Sequence, residues 1–268
     1  MLIVSVCSLK GGVGKTSITL GLASSAMARD VRTLVVDLDP QADATTGLDV
    51  VSAPKHDLAD VLQKPKRSVI EDALAPSGWT ADSPGRVDVL VGSHRLAALD
   101  ALRSDGSVEP KLAAALPTAL GKLSTRYDLM LLDCPPNLAA LTRTGLAASQ
   151  RALIVGEPGL FSVAAADRAL KAVEDVRRHG AKDLQPLGIV VNRFRARRRE
   201  HAYRVTEMRA LFGPLVLSPV IDERSVLQQA QGAGRAIHDW PTAPGKQMAG
   251  TFDKLLDRVL RAAPKRKK

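Results

Sequence analysis

Aromatic residues are nearly missing from this chain: four Phe, two Tyr and two Trp among 268 residues, 3% in all. A core of ordinary size must therefore be built from aliphatic side chains. Cysteine is scarce as well. Cys7 and Cys134 have neither the spacing of a metal site nor the number for a disulfide framework. Both lie in apolar runs, where a thiol acts as a small buried hydrophobe. No apolar run approaches the roughly 18 residues that a membrane span needs. The opening MLIVSVCSLKGG has no basic leader before its apolar run and leads straight into glycines, which argues against a signal peptide. These absences predict a soluble, cytoplasmic protein. They exclude a membrane-spanning chain, a disulfide scaffold and a cysteine-ligated cluster.

What is present is balanced in bulk and uneven in place. Apolar residues make up 45% of the chain and charged residues 25%, ordinary proportions for a globular protein, and the length suits one large domain. The formal net charge of +10 is concentrated, however. RFRARRREHAYR at 193–204 holds six arginines against Glu200, and RAAPKRKK at 261–268 holds five cations and no acid. Together they account for the whole excess. Basic charge gathered on an otherwise neutral chain points to a polyanionic partner. The plainer alternative is a solvated basic face with a disordered tail.

Continuous apolar runs rich in β-branched residues predict buried strands at 2–7, 31–39, 86–93, 127–136, 151–158, 184–194 and 213–221. Helical patterns lie at 109–126, 138–149, 161–179 and 201–211. Strands that alternate with helices and lack a polar face imply an α/β fold, a mostly parallel sheet with helices on both faces. Met248, Phe252, Leu255, Leu256, Val259 and Leu260 share one helical stripe and predict a closing helix that packs on the sheet. The stretch 75–86, rich in Pro, Gly and Ser, reads as a surface loop. The expected organisation is one domain, 1–262, with a short basic tail, 263–268.

The chemistry is densest in SLKGGVGKTS, residues 8–17. Gly11, Gly12 and Gly14 let the backbone turn its N–H groups inward around phosphate oxygens, with Val13 between them, and the following helix adds its positive end. Lys15 is placed to reach the β- and γ-phosphates and Thr16 to offer a hydroxyl to Mg²⁺, with Ser17 beside it. In an open parallel sheet, ligands sit beyond the carboxyl ends of the strands. Asp37 and Asp39 close one predicted strand and Asp133 another, so three carboxylates converge on the glycine loop. Asp133 suits the orientation of a water on the metal, and Asp39 suits the attacking water. Asp37 belongs either to the metal shell or to the strand end. A glycine turn with no ligand is the simpler alternative, but strand, Gly-Lys-Thr, helix and acids occur together. Lys10 is the anomaly, because the usual phosphate loop asks for nothing at that position.

LKGGVGKTS, then VVDLDPQADATTGL (35–48), then YDLMLLDCPPNLAALTRTGL (127–146) resemble the deviant Walker A ATPases of the ParA/MinD group. The order and spacing are those of ParA proteins, and GIVVNRF and SPVIDERSVLQQAQGAGRAIHDW extend the likeness over nearly the whole chain. The resemblance implies a slow ATPase that uses ATP and Mg²⁺. It implies that Lys10 reaches the phosphates held by a second subunit, making a homodimer conditional on ATP. It implies that Asn192 reads adenine, with Pro219 and Ile221 lining the pocket; a turn-capping Asn is the alternative. Further implied are non-specific DNA binding through Arg195, Arg197, Arg198, Arg199 and Arg224, nucleoid association, and hydrolysis stimulated by a ParB-like or other adaptor. GEPGLFSVAAADRAL (156–170) departs from the aromatic-rich segment common in chromosomal ParA proteins, which leaves that adaptor open. A membrane switch of MinD type, with 252–268 as its amphipathic anchor, is the second reading. A metabolic ATP-dependent enzyme is the third.

Overall fold

The computed structural model describes residues 1–79 and 85–264. In chain order the elements are β1 (Leu2–Cys7), α1 (Lys15–Ala28), β2 (Thr33–Asp37), α2 (Asp43–Gly47), α3 (Leu58–Gln63), α4 (Arg67–Glu71), β3 (Leu74–Pro76) and β4 (Val87–Leu90). They continue with α5 (Pro110–Lys122), β5 (Leu129–Asp133), α6 (Ala140–Ala148), β6 (Arg151–Gly156), α7 (Leu160–Arg178), β7 (Gln185–Val191), α8 (Arg199–Phe212), α9 (Ser225–Gly232) and α10 (Ala243–Arg261). One sheet runs β3-β4-β2-β5-β1-β6-β7, parallel throughout except for β3. β1 is an interior strand, flanked by β5 and β6, so the loop that leaves it opens on the carboxyl edge between their ends.

Because successive strand residues face opposite ways, the strands feed two aliphatic layers. Ile3, Leu34, Met130 and Ile154 join the layer under α3, α5, α6 and α7, while Val4, Val35, Leu131 and Leu153 join the layer under α1, α9 and α10. The stripe expected on the last helix is buried at Met248, Phe252, Leu255, Leu256 and Val259. Gly21 of α1 makes the closest approach possible, since a Cβ there would lie 2.2 Å from the Phe252 ring. The apolar face of α10 is thus spent on the core, and none of it is left to lie on a lipid surface. Among the described residues, no helix is long and apolar enough to cross a membrane.

The structure corrects two expectations. Residues 213–221 do not form a strand: Gly213–Leu215 is a single 3₁₀ turn, and the chain beyond it meets β7 through the isolated bridge Ile189–Val216 and through the Ile221 N–H, which donates to the Val191 carbonyl. Pro214 and Pro219 have no N–H to give, so a continuous ladder cannot form there. The seventh strand is instead β3, an antiparallel edge that runs into the first two residues of the stretch expected as a surface loop, and Ser77 and Trp79 behind it are buried. Of the expected tail, only Ala263 and Pro264 fall among the described residues.

Phe252→Ala is expected to lower the unfolding free energy by about 3–5 kcal/mol, read from urea denaturation. A loss below about 1 kcal/mol would mean that α10 is not docked on α1.

Candidate functional site

The loop between β1 and α1 turns at Gly12 (φ 75°) and Gly14 (φ 88°), both in the left-handed region that glycine enters at low cost. Gly14 also caps α1 without any side-chain bond. The first helical bond in the ladder is Ile18 N–H to the Gly14 carbonyl, at 3.0 Å. The N–H groups of Lys15, Thr16 and Ser17 consequently point out of the helix start, where an anion is favoured.

Behind that start lies a charge without a counterpart. Lys15 is 7% exposed, and among the described residues its ammonium has neither an ion pair nor a hydrogen bond. An isolated cation withdrawn from water is costly unless an anion arrives. Asp133, close enough for Lys15 to draw its carboxyl down, is engaged elsewhere: its oxygens accept from Thr16 Oγ1 at 2.7 Å and from Thr19 Oγ1 at 2.9 Å. Burial raises Asp133 to about 6 against the pull of these hydroxyls and of Lys15. Asp37 pairs in register with Asp133 on the neighbouring strand and is fully buried. Burial, then the Asp133 charge, push it up to about 7, although the backbone and hydroxyl of Thr45 both donate to its Oδ2 at 2.7 Å. Asp39 accepts from Gln41 N–H through Oδ1, at 3.1 Å, which leaves Oδ2 uncommitted among the described residues.

These groups fit Mg²⁺ only in company. Among the described residues no cluster of three or more His, Cys, Asp or Glu could hold a metal ion alone. Thr16, Asp37 and Asp133 offer one hydroxyl and two carboxyls, a donor set that suits magnesium when phosphate oxygens supply the rest of its shell. The thiols add nothing to this chemistry, since burial lifts Cys7 to about 12 and raises Cys134 as well.

Lys10, at the mouth of the loop, is 45% exposed and bound within its own chain: its Nζ donates to Glu157 Oε2 at 3.0 Å. Asn192, at the end of β7, is 3% exposed and donates to the Val13 carbonyl at 2.7 Å. Its amide therefore supports the phosphate loop directly. Of the other two residues expected at adenine, Ile221 is bonded through its backbone to Val191 and Phe194, on either side of Asn192, and Pro219 lies two residues earlier in the same segment. Ile221 is wholly buried and its N–H donates to the Val191 carbonyl, while Pro219 faces α10 across a cavity of about 350 Å³ lined by Lys254, Arg258 and Arg261.

The arginines divide into two kinds. Arg195 is bonded to Glu223 and Arg224 to Asp222, so each is neutralised by an acid. Arg197, Arg198 and Arg199 have no ion-pair partner among the described residues and stand exposed where α8 begins. Four residues of the site escape a motif reading: Thr19, Thr45, Glu157 and Gln231, whose Oε1 accepts from Ser17 at 3.4 Å. Glu157 carried one legible signal, since it directly follows the carboxyl end of β6.

A family model described as an AAA domain matches residues 1–186. The chain is 30% identical over 263 residues to the chromosome-partitioning ATPase Soj of Thermus thermophilus, covering 96% of this chain and 94% of that protein. It is 30% identical over 262 residues to a ParA family protein of Chlamydia trachomatis, covering 96% of each. In structure it is similar to cobyrinic acid a,c-diamide synthase from Mycobacterium smegmatis with bound ATP analogue and magnesium, with a TM-score of 0.74, 23% identity, and 97% and 95% of the two chains covered. At that identity the likeness shows the fold alone.

A Cβ on Gly14 would lie 2.3 Å from Asn192 Nδ2, at a φ that other residues rarely adopt. Gly14→Ala is expected to cost about 2–4 kcal/mol of unfolding stability. The Gly14→Ala/Asn192→Ala pair should recover the steric part in urea denaturation. A double variant no more stable than the single would place the whole cost in φ.

Proposed function

Because the chain belongs to the ParA family, we propose that it is an ATPase of partition or cargo-positioning type that binds ATP with magnesium, dimerises on it and holds DNA without sequence preference. The observation that carries this reading is the buried, unpaired Lys15 ammonium beside the free N–H groups at the start of α1. That arrangement is complete only with a polyphosphate.

The roles follow from position. The loop from Gly11 to Ser17 wraps the phosphates, Lys15 balances the β- and γ-oxygens, and Thr16, backed by Asp133, offers its hydroxyl to the ion. Magnesium, when bound, neutralises charge that develops on the phosphate oxygens. Asp39, with one oxygen fixed and one open, positions the attacking water. Lys10 supplies a second ammonium to the terminal phosphate of the neighbouring subunit, so that two copies are joined only when that phosphate is present. DNA phosphates are held by Arg197, Arg198 and Arg199, the unpaired members of the basic cluster. Dimerisation doubles such contacts, so affinity rises with ATP and falls with salt. Turnover then releases the dimer, and an adaptor that hastens turnover sets where release occurs.

Two experiments test these roles. Lys10→Ala and Asp39→Ala should part company. The first should bind a non-hydrolysable ATP analogue yet sediment as a monomer, and the second should dimerise with ATP yet release no phosphate. A dimeric Lys10→Ala protein, or normal turnover without Asp39, removes the corresponding role. Co-sedimentation with duplex DNA and separately with anionic liposomes, with and without ATP, tests the partner. Replacing Arg197, Arg198 and Arg199 by Ala is expected to lower the DNA salt slope by roughly three per copy. ATP-dependent capture by liposomes and not by DNA would reverse the assignment.

A further inference from the structure

Glu157 has no place in the phosphate-loop motif, yet it grips the lysine on which the proposed pairing depends. It stands just beyond the carboxyl end of β6, the strand next to β1. Both of its oxygens are taken. Oε2 accepts from Lys10 Nζ at 3.0 Å, and Oε1 accepts from Arg193 Nη1 at 3.1 Å. Arg193 is itself held in the left-handed region, at φ 56°, directly after Asn192, whose amide is bonded to the Val13 carbonyl. The contacts form a closed ring. Lys10 and Val13 belong to the phosphate loop, Glu157 to the end of β6, and Asn192 and Arg193 to the end of β7. The carboxylate is therefore fixed by a second cation whether or not Lys10 stays.

We infer that Glu157 is a positioning residue that keeps Lys10 inside its own subunit until a terminal phosphate on the neighbouring subunit draws it away. The inference rests on the ATP-dependent pairing proposed above. The Lys10 side chain is 45% exposed and that of Glu157 23%. An ion pair so open to water is modest in strength: enough to set where the ammonium rests, too weak to hold it against a doubly charged γ-phosphate. When Lys10 departs, Arg193 still neutralises Glu157, so no bare half-buried carboxylate is left behind. Each dimer breaks two such pairs, and the restraint on association therefore counts twice. Its effect is to set a threshold against pairing when the nucleotide lacks its terminal phosphate.

The test uses the full chain as wild type, Glu157→Gln and Glu157→Asp, and has two arms. In the first, nucleotide-free protein is acetylated with an amine-reactive reagent, and Lys10 is followed by peptide mass spectrometry against exposed Lys111. In the second, dimerisation is measured by sedimentation with a non-hydrolysable ATP analogue and with ADP. Loss of the carboxylate in Glu157→Gln should speed Lys10 acetylation by about threefold or more and lower the dimer dissociation constant by roughly three- to thirty-fold. Glu157→Asp should fall between it and wild type. Equal acetylation in wild type and Glu157→Gln overturns the restraint on Lys10. Faster acetylation with unchanged or weaker pairing overturns its control of the dimer. If wild type and Glu157→Gln both stay monomeric with the analogue, the pairing reading falls and takes this role with it. The acetylation arm then separates that failure from a failure of the Lys10–Glu157 contact.

Discussion

The Lys15 ammonium, withdrawn from water and unmatched by any anion among the described residues, is the imbalance around which the site is arranged. Its location follows from the order of the strands. β1 is an interior strand between β5 and β6, so the chain leaving it must cross the carboxyl edge between the ends of those two before α1 begins. Asp133 at the end of β5 is near enough to favour the cation but is claimed by Thr16 and Thr19. The carboxylates are thereby stationed around the lysine without cancelling it. A phosphate chain is what such a gap accepts.

That much was legible because glycine and lysine at fixed spacing, after a run such as LIVSVC, leave few alternatives in backbone conformation or charge. The Met248-to-Val259 stripe was legible for the same reason, since helical spacing has one burial consequence. What escaped depended on neighbours far along the chain. GPLVLSPVI has the composition of a strand, but its prolines deny it a ladder, and it runs beside β7 as an irregular strap. Leu74–Pro76 looked like loop because a three-residue edge strand has no periodicity to read. The acids beside Arg195 and Arg224 were not legible, because formal charge takes no account of what folding brings alongside. The bond from Asn192 to Val13 is invisible from either residue alone.

Similarity to a partition ATPase in sequence and to a diamide synthase in structure marks the boundary between what the architecture carries and what the residues carry. The sheet architecture is shared with the synthase. In this chain the side chains on which the proposed switch turns are few: an ammonium at position 10, a carboxylate at position 157 that receives it, and three arginines at the head of α8 that no acid among the described residues answers. Each is a matter of one or two side chains set at the rim of a shared scaffold, and a difference in function between such proteins can be sought there.

The two borders of the sheet have their own consequence. On one side β3 is three residues long and ends in Pro76, and on the other the strap at 216–221 occupies β7, with Leu217 and Ile221 donating to Ile189 and Val191. Among the described residues neither border offers a long free row of amides for another molecule to zip onto. Edge-to-edge pairing of sheets is disfavoured by such short and partly covered borders, which leaves side-chain surfaces as the better ground for association.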